Sequence, residues 1–315
     1  MLQNFIICVN SVIPQAVYLI VGIMLKRFNV ISEEEVKRFT KVIFVMLYPF
    51  LMFDNLYGKS LGEHFSLPLI IYACTSLLVI IACIWWAVCR FEKDNYNRGA
   101  MIQAMFRSNI VLMGLPVATY IFGKGNVATV AVLLMVVVPI YNVIAVVIFE
   151  DFRGGKVSWK SIIHGVLTNP LIVGGIAAII VLVLGIEMPE NLLVPIRALS
   201  DATTPVAMVL LGASLKISGI KQDKRKVLAC VSVKLIVVPI FGIGGAVLFG
   251  LRGVELLAIA LMYATPTALA SFAMASSMGG NDELTGETVV FSTMMSCLTL
   301  PVILFVLMQL RYLAI

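Results

Sequence analysis

Charge is what this sequence most lacks. Asp, Glu, Lys and Arg make up 13% of its 315 residues, against about 25% in soluble domains. Acidic residues number 17, and no helix carries the pair of them within an apolar run that is expected of a proton or sodium antiporter. Histidine is nearly absent: His64 and His164 stand alone in expected loops and are not taken as functional. The six cysteines (Cys8, Cys74, Cys83, Cys89, Cys230 and Cys297) form no CxxC pair, so neither a zinc site nor a disulfide framework is indicated. There is no Walker loop, HExxH helix or GxSxG elbow, which disfavours ATP-driven pumping by this chain alone and familiar intramembrane hydrolysis. No enzymatic activity, cofactor or metal is expected. No basic run interleaved with aromatics suggests nucleic acid. The N-terminus lacks the basic start and cleavage site of a secretory signal, so the first apolar segment is expected to be retained.

What fills the chain is hydrocarbon. Hydrophobic residues reach 61% and the mean hydropathy is +1.04. Apolar runs long enough for a hydrocarbon core of about 30 Å recur ten times, at 4–25, 39–57, 66–89, 99–122, 126–149, 162–186, 199–217, 227–250, 254–278 and 287–310. The expected fold class is therefore all-α, a polytopic membrane protein of ten transmembrane helices joined by short loops.

The net charge of +6 follows from loop composition. Loops after odd-numbered segments hold Lys26, Arg27, Lys37, Arg38, Lys41, Arg90, Lys93, Arg98, Arg153, Lys156, Lys160, Lys216, Lys221, Lys224, Arg225 and Lys226. The opposite side holds Lys59, Lys124, Arg197, Arg252 and Arg311. Basic residues stay cytoplasmic, so both termini are expected to be extracytoplasmic, in a multi-pass protein of the plasma (inner) membrane. Prolines repeat at matching places: Pro14 and Pro170, Pro49 and Pro205, Pro116 and Pro266, Pro139 and Pro301. Five segments per half is an odd number, so residues 1–150 and 151–315 are expected to form two inverted five-helix repeats. In such folds, broken helices at corresponding positions mark the binding site.

One stretch organises the rest: Met105–Gly123, MFRSNIVLMGLPVATYIFG. Pro116 removes a backbone donor and crowds the carbonyl four residues back, and freed carbonyls cannot face lipid. A helix broken near Gly114 and Pro116 is expected, with Arg107 and Asn109 among the costly intramembrane polar groups that mark sites. Segment 9 carries its own break at Thr265-Pro266-Thr267, with Ser271, Ser276 and Ser277 following. If the two breaks cross, positive helix N-termini converge near mid-membrane and favour an anion. Arg107, or Lys234 in segment 8, offers a cation; a guanidinium matches a carboxylate in bidentate geometry. Tyr141 and Asn142 in segment 5 complete the candidate set, since Asn142 needs a partner inside the membrane. Asp54 and Asp201, toward segment ends, are the groups a proton- or sodium-coupled carrier could titrate. A non-transporting membrane receptor is the reading from another class, and the chain shows no signalling domain for it.

RSNIVLMGLP, PIYN, TTPVAMVLLGASL, KLIVVP, and the end of the chain from ATPTALAS through FSTMMSCLTLP resemble the auxin efflux carrier family over essentially the whole chain. The short loop between segments 5 and 6 is similar to bacterial members often described as malate or malonate permeases. The resemblance implies a scaffold from segments 1, 2, 6 and 7, often dimerising, so a homodimer is expected. It implies a moving transport domain from segments 3–5 and 8–10. Segments 4 and 9 are expected to cross, with Asn109, Pro116 and Pro266 at the positions that hold a carboxylate. The Asn that plant exporters carry in the second half of segment 9 has no evident counterpart here, which argues against auxin. The expected partners are a small organic anion and the lipid bilayer.

Overall fold

A computed structural model describes residues 2–57, 65–153, 163, 167–214 and 224–313. The basic residues Lys59, Lys156, Lys160, Lys216 and Lys221, and both histidines, lie outside the described residues. All regular elements among them are helical: α1 (Leu2–Asn10), α2 (Ile13–Arg27), α3 (Glu33–Leu56), α4 (Leu67–Phe91), α5 (Asn95–Phe106), a π-helical turn (Ile110–Gly114) and α6 (Leu115–Arg153). Then follow α7 (Pro170–Val183), α8 (Glu190–Ser214), α9 (Lys224–Ser232), a second π-turn (Val233–Val237), α10 (Val238–Phe249), α11 (Gly253–Ala264), α12 (Leu269–Ser277) and α13 (Asp282–Gln309).

Among the described residues, seven spans are long and apolar enough to cross a membrane: Ile6–Arg27, Glu33–Leu56, Leu67–Phe91, Val127–Arg153, Glu190–Ser214, Lys224–Phe249 and Asp282–Gln309. The other three expected segments give shorter apolar helices, Ile110–Gly123, Ile172–Val183 and Gly253–Ala264. Two are short because each expected helix is cut within its length, and the third because its beginning falls outside the described residues. The outer faces are greasy: Trp86, Phe241 and Leu248 are exposed, Leu248 by 90%. Apolar patches of that extent suit lipid, since soluble monomers rarely expose them. This is a multi-pass membrane protein.

The helices gather in two groups. In one, α8 packs along both α2 and α3, and α3 packs along α7. Glycines bring these backbones into contact: a Cβ on Gly22 would lie 1.9 Å from the Val209 carbonyl oxygen, and one on Gly212 would lie 2.2 Å from that of Leu19. Small residues at membrane crossings replace the hydrophobic drive that lipid removes. In the other group, α10 packs on α11, α12 on α13, α5 on α4 and α6, and α11 on α6. Lys226 Nζ pairs with Glu92 Oε2 at 2.6 Å, tying the α4–α5 connection to α9. α6 is two helices joined at Gly123, whose φ of 76° and ψ of 167° break the run. That left-handed φ is open to glycine at little cost.

The break in segment 4 departs from expectation. Helix α5 ends at Phe106, Arg107 is extended, and the chain stays out of helical geometry through Asn109, well before Pro116. Pro116 instead follows directly on the π-turn, where the Leu115 N–H reaches back five residues to the Ile110 carbonyl. The wider turn accommodates a residue without an N–H. Pro239 stands in the same relation to the second π-turn. The chain opens at Arg-Ser-Asn because Ser and Asn compete with helical backbone bonds and another strand of chain is there to receive them.

Candidate functional site

That other strand is the break in segment 9. Helix α11 ends at Ala264, α12 begins at Leu269, and the linking residues meet Arg107–Asn109 antiparallel, in a bridge between Ser108 and Thr267. The Asn109 N–H donates to the Pro266 carbonyl at 2.8 Å, and the Ala268 N–H donates to the Arg107 carbonyl at 3.1 Å. Side chains close the rest: Thr267 Oγ1 donates to the Ala104 carbonyl at 2.8 Å, and the Thr267 N–H donates to Ser292 Oγ at 3.2 Å. Several of the backbone groups freed by the two breaks are thus satisfied within protein, as a membrane interior requires.

Lys234 sits behind this crossing, with no exposed surface. Its ammonium donates to Ser108 Oγ and, at 3.1 Å, to the Tyr263 carbonyl at the end of α11. A cation at a helix C-terminus meets carbonyls that have no partner in the helix. The second π-turn carries Lys234. The Tyr263 hydroxyl shares a 2.6 Å hydrogen bond with Ser76 of α4, so Tyr263 and Lys234 lock α4, α9–α10 and α11 to the crossing.

Arg107 turns the other way. Its Nη2 donates to Asn142 Oδ1 at 2.7 Å, and its Nη1 lies 2.8 Å from Met274 Sδ. With the Gln103 amide in the orientation that satisfies its neighbours, Gln103 Oε1 accepts from Arg107 Nη1 at 3.2 Å. All three partners are neutral, and no described carboxylate pairs with the guanidinium. Asn109 is buried, and its Nδ2 has no hydrogen-bond partner. The Tyr141 hydroxyl lies near Ser108 without making a hydrogen bond of acceptable geometry, and its ring packs on Phe106 at 5.7 Å.

Arg107, Asn109, Tyr141 and Asn142 border a cavity of about 480 Å³. The first residues after both breaks, Ile110–Leu112 and Ala268–Ala270, face it as well. Its opposite wall comes from the other helix group: Thr40, Lys41, Phe44 and Tyr48 of α3, with Leu210 and Ser214 of α8. The cavity therefore lies between the two groups, in the size range of small-molecule sites.

Six expected site residues are not in the cavity wall. Thr265, Pro266 and Thr267 build the crossing. Lys234 braces it from behind. Gly114 packs against α11, where a Cβ would meet Ile110 Cγ1 at 2.7 Å and Leu261 Cβ at 3.4 Å. Pro116 belongs to the helix after the π-turn. Asp54 and Asp201 also stand apart from the cavity. The α3 wall is not among the expected site residues, although Val36, Thr40, Ile43, Phe44 and Tyr48 recur at helical spacing.

The comparisons with known proteins agree with a multi-pass membrane protein that transports. Residues 7–304 match the family described as membrane transport protein. The chain belongs to that family, the auxin efflux carrier type. An uncharacterised transporter of Methanocaldococcus jannaschii is 23% identical over 294 residues, covering 90% of this chain and 94% of the relative. An uncharacterised transporter of Methanothermobacter thermautotrophicus is 22% identical over 296 residues, covering 93% and 96%. This membrane transport protein is thus matched to its relatives along nearly its whole described length.

Proposed function

We propose that this transporter carries small organic anions, carboxylates such as malate or malonate, by elevator-type alternating access. The observation that carries the reading is Arg107: a buried guanidinium at the cavity wall whose partners, Asn142, Gln103 and Met274, are all neutral. An intramembrane cation is costly and functional by default, and a carboxylate would complete it in bidentate geometry. Asn109 Nδ2, with no protein acceptor, offers a donor beside it. Helix starts on both sides of the crossing add positive potential.

In this reading ten segments form two inverted five-helix repeats, 1–150 and 151–315, with both termini outside the plasma membrane. Helices α2, α3, α7 and α8 form the scaffold and the self-associating face. The crossing helices move past them with the anion. The cavity lies toward the start of α3 and the end of α8, which the basic loops assign to the cytoplasm, so the conformation is inward-facing.

The test is solid-supported membrane electrophysiology on the purified protein in liposomes, followed by tracer uptake under imposed pH and sodium gradients. Malate, malonate, other short carboxylates and indole-3-acetate are compared with Asn109→Ala and protein-free controls. A carboxylate current or uptake lost in Asn109→Ala is expected. A folded Asn109→Ala protein that transports at wild-type rates overturns the site.

A further inference from the structure

The cavity has a second cation, supplied by the other helix group. Lys41 of α3 borders it, and no described residue hydrogen-bonds or ion-pairs with it. Nor does its own helix use its charge. The residues one turn away are Lys37, Arg38, Phe44 and Val45, so Lys41 has like-charged or apolar neighbours where an acidic residue would help. No Asp or Glu is among the described residues that line the cavity. Much of the remaining described wall is apolar, with Ile43, Phe44, Tyr48 and Val138 among its residues. Thr40 and Ser214, from the same helix group as Lys41, also line the cavity.

Resting on the anion reading above, we propose that Lys41 determines charge selectivity: it takes the second carboxylate of a dianion whose first carboxylate is held by Arg107. Two cations with no acidic neighbour among the described wall residues are neutralised by a ligand with two negative ends and a short hydrocarbon body. A monocarboxylate satisfies the Arg107 end alone. Because Lys41 belongs to the α2–α3–α7–α8 group and Arg107 to the crossing, this double contact exists only while the cavity lies between them as it does here. The selectivity is accordingly a property of the inward-facing state.

The experiment compares succinate with butyrate, which share a four-carbon body and differ by one carboxylate. Binding to the detergent-purified full chain is measured by calorimetry for wild type, Lys41→Gln and Lys41→Arg. Lys41 is exposed, so both variants should fold, which size-exclusion profiles check. Wild type should prefer succinate. Lys41→Gln should weaken succinate by about tenfold or more, one charge-assisted contact, while butyrate stays within about twofold. Lys41→Arg should restore succinate. Equal losses for both ligands, or no loss for either, overturn the role of Lys41 and leave the anion site standing. Wild type that binds neither succinate nor butyrate overturns the anion reading, and this inference with it.

Discussion

Replacing Arg107 by Gln separates what the protein needs to fold from what it needs to hold an anion. Gln can still donate to Asn142 Oδ1, which Arg107 Nη2 reaches at 2.7 Å, so that acceptor need not be stranded. The fold exchanges one hydrogen bond to a charged group, about 1.5–3 kcal/mol, for a neutral one, and it no longer buries an unpaired cation. These changes oppose each other, and the melting temperature should move by less than about 4 °C. The anion has no such compensation. Removing one member of a buried charge pair costs about 2–5 kcal/mol, or roughly 30- to 4,000-fold in affinity at about 1.4 kcal/mol per decade. Thermal unfolding and carboxylate binding, measured on the same preparation, should therefore dissociate. Wild-type affinity in Arg107→Gln refutes the argument. So does a loss of binding that only accompanies a large fall in melting temperature, because Arg107 is then structural.

Two further substitutions test the frame. Ala268 has φ −68° and ψ 139°, which proline adopts without strain, so Ala268→Pro chiefly deletes the N–H that reaches the Arg107 carbonyl. Leaving that carbonyl unsatisfied should destabilise the protein by about 1–3 kcal/mol and slow flux, and unchanged melting with unchanged flux would show the bridge to be incidental. Gly22→Ala places a methyl 1.9 Å from the Val209 carbonyl oxygen and should cost about 1–3 kcal/mol or more. Gly244→Ala, with nothing within 4 Å, should instead be neutral or stabilising by up to about 1 kcal/mol, and equal effects of the two would contradict the close α2–α8 packing.

Polar residues inside apolar runs were the legible part of this molecule. Arg107, Asn109 and Asn142 stand out because burial without a partner is expensive, and the structure brings all three to one cavity. Pro266 likewise marked its break correctly. Pro116 pointed to the right helix and the wrong residue, because a proline can be absorbed by a π-turn while a non-helical Arg-Ser-Asn is drawn out by its partner strand. Which residues pair across such a crossing depends on two distant segments at once, and local sequence does not encode that. Lys41 was hidden for a related reason. Periodicity shows that α3 has a face, not what the face looks onto, and a lysine near a helix start reads as a loop charge until the opposite wall is known. Lys234 was visible as an oddity, but its direction, toward Ser108 and away from the cavity, is a tertiary fact.

The Ser108–Thr267 bridge bears on how such a protein can diversify. Its two stitches run from main chain to main chain, through the N–H groups of Asn109 and Ala268 and the carbonyls of Pro266 and Arg107. Any side chain except proline at 109 or 268 leaves both stitches in place. The letters that line the cavity can then be rewritten while the seam that positions them persists. A lineage carrying this seam can explore new solutes by single replacements at its most intimate contacts, without first having to reinvent the fold.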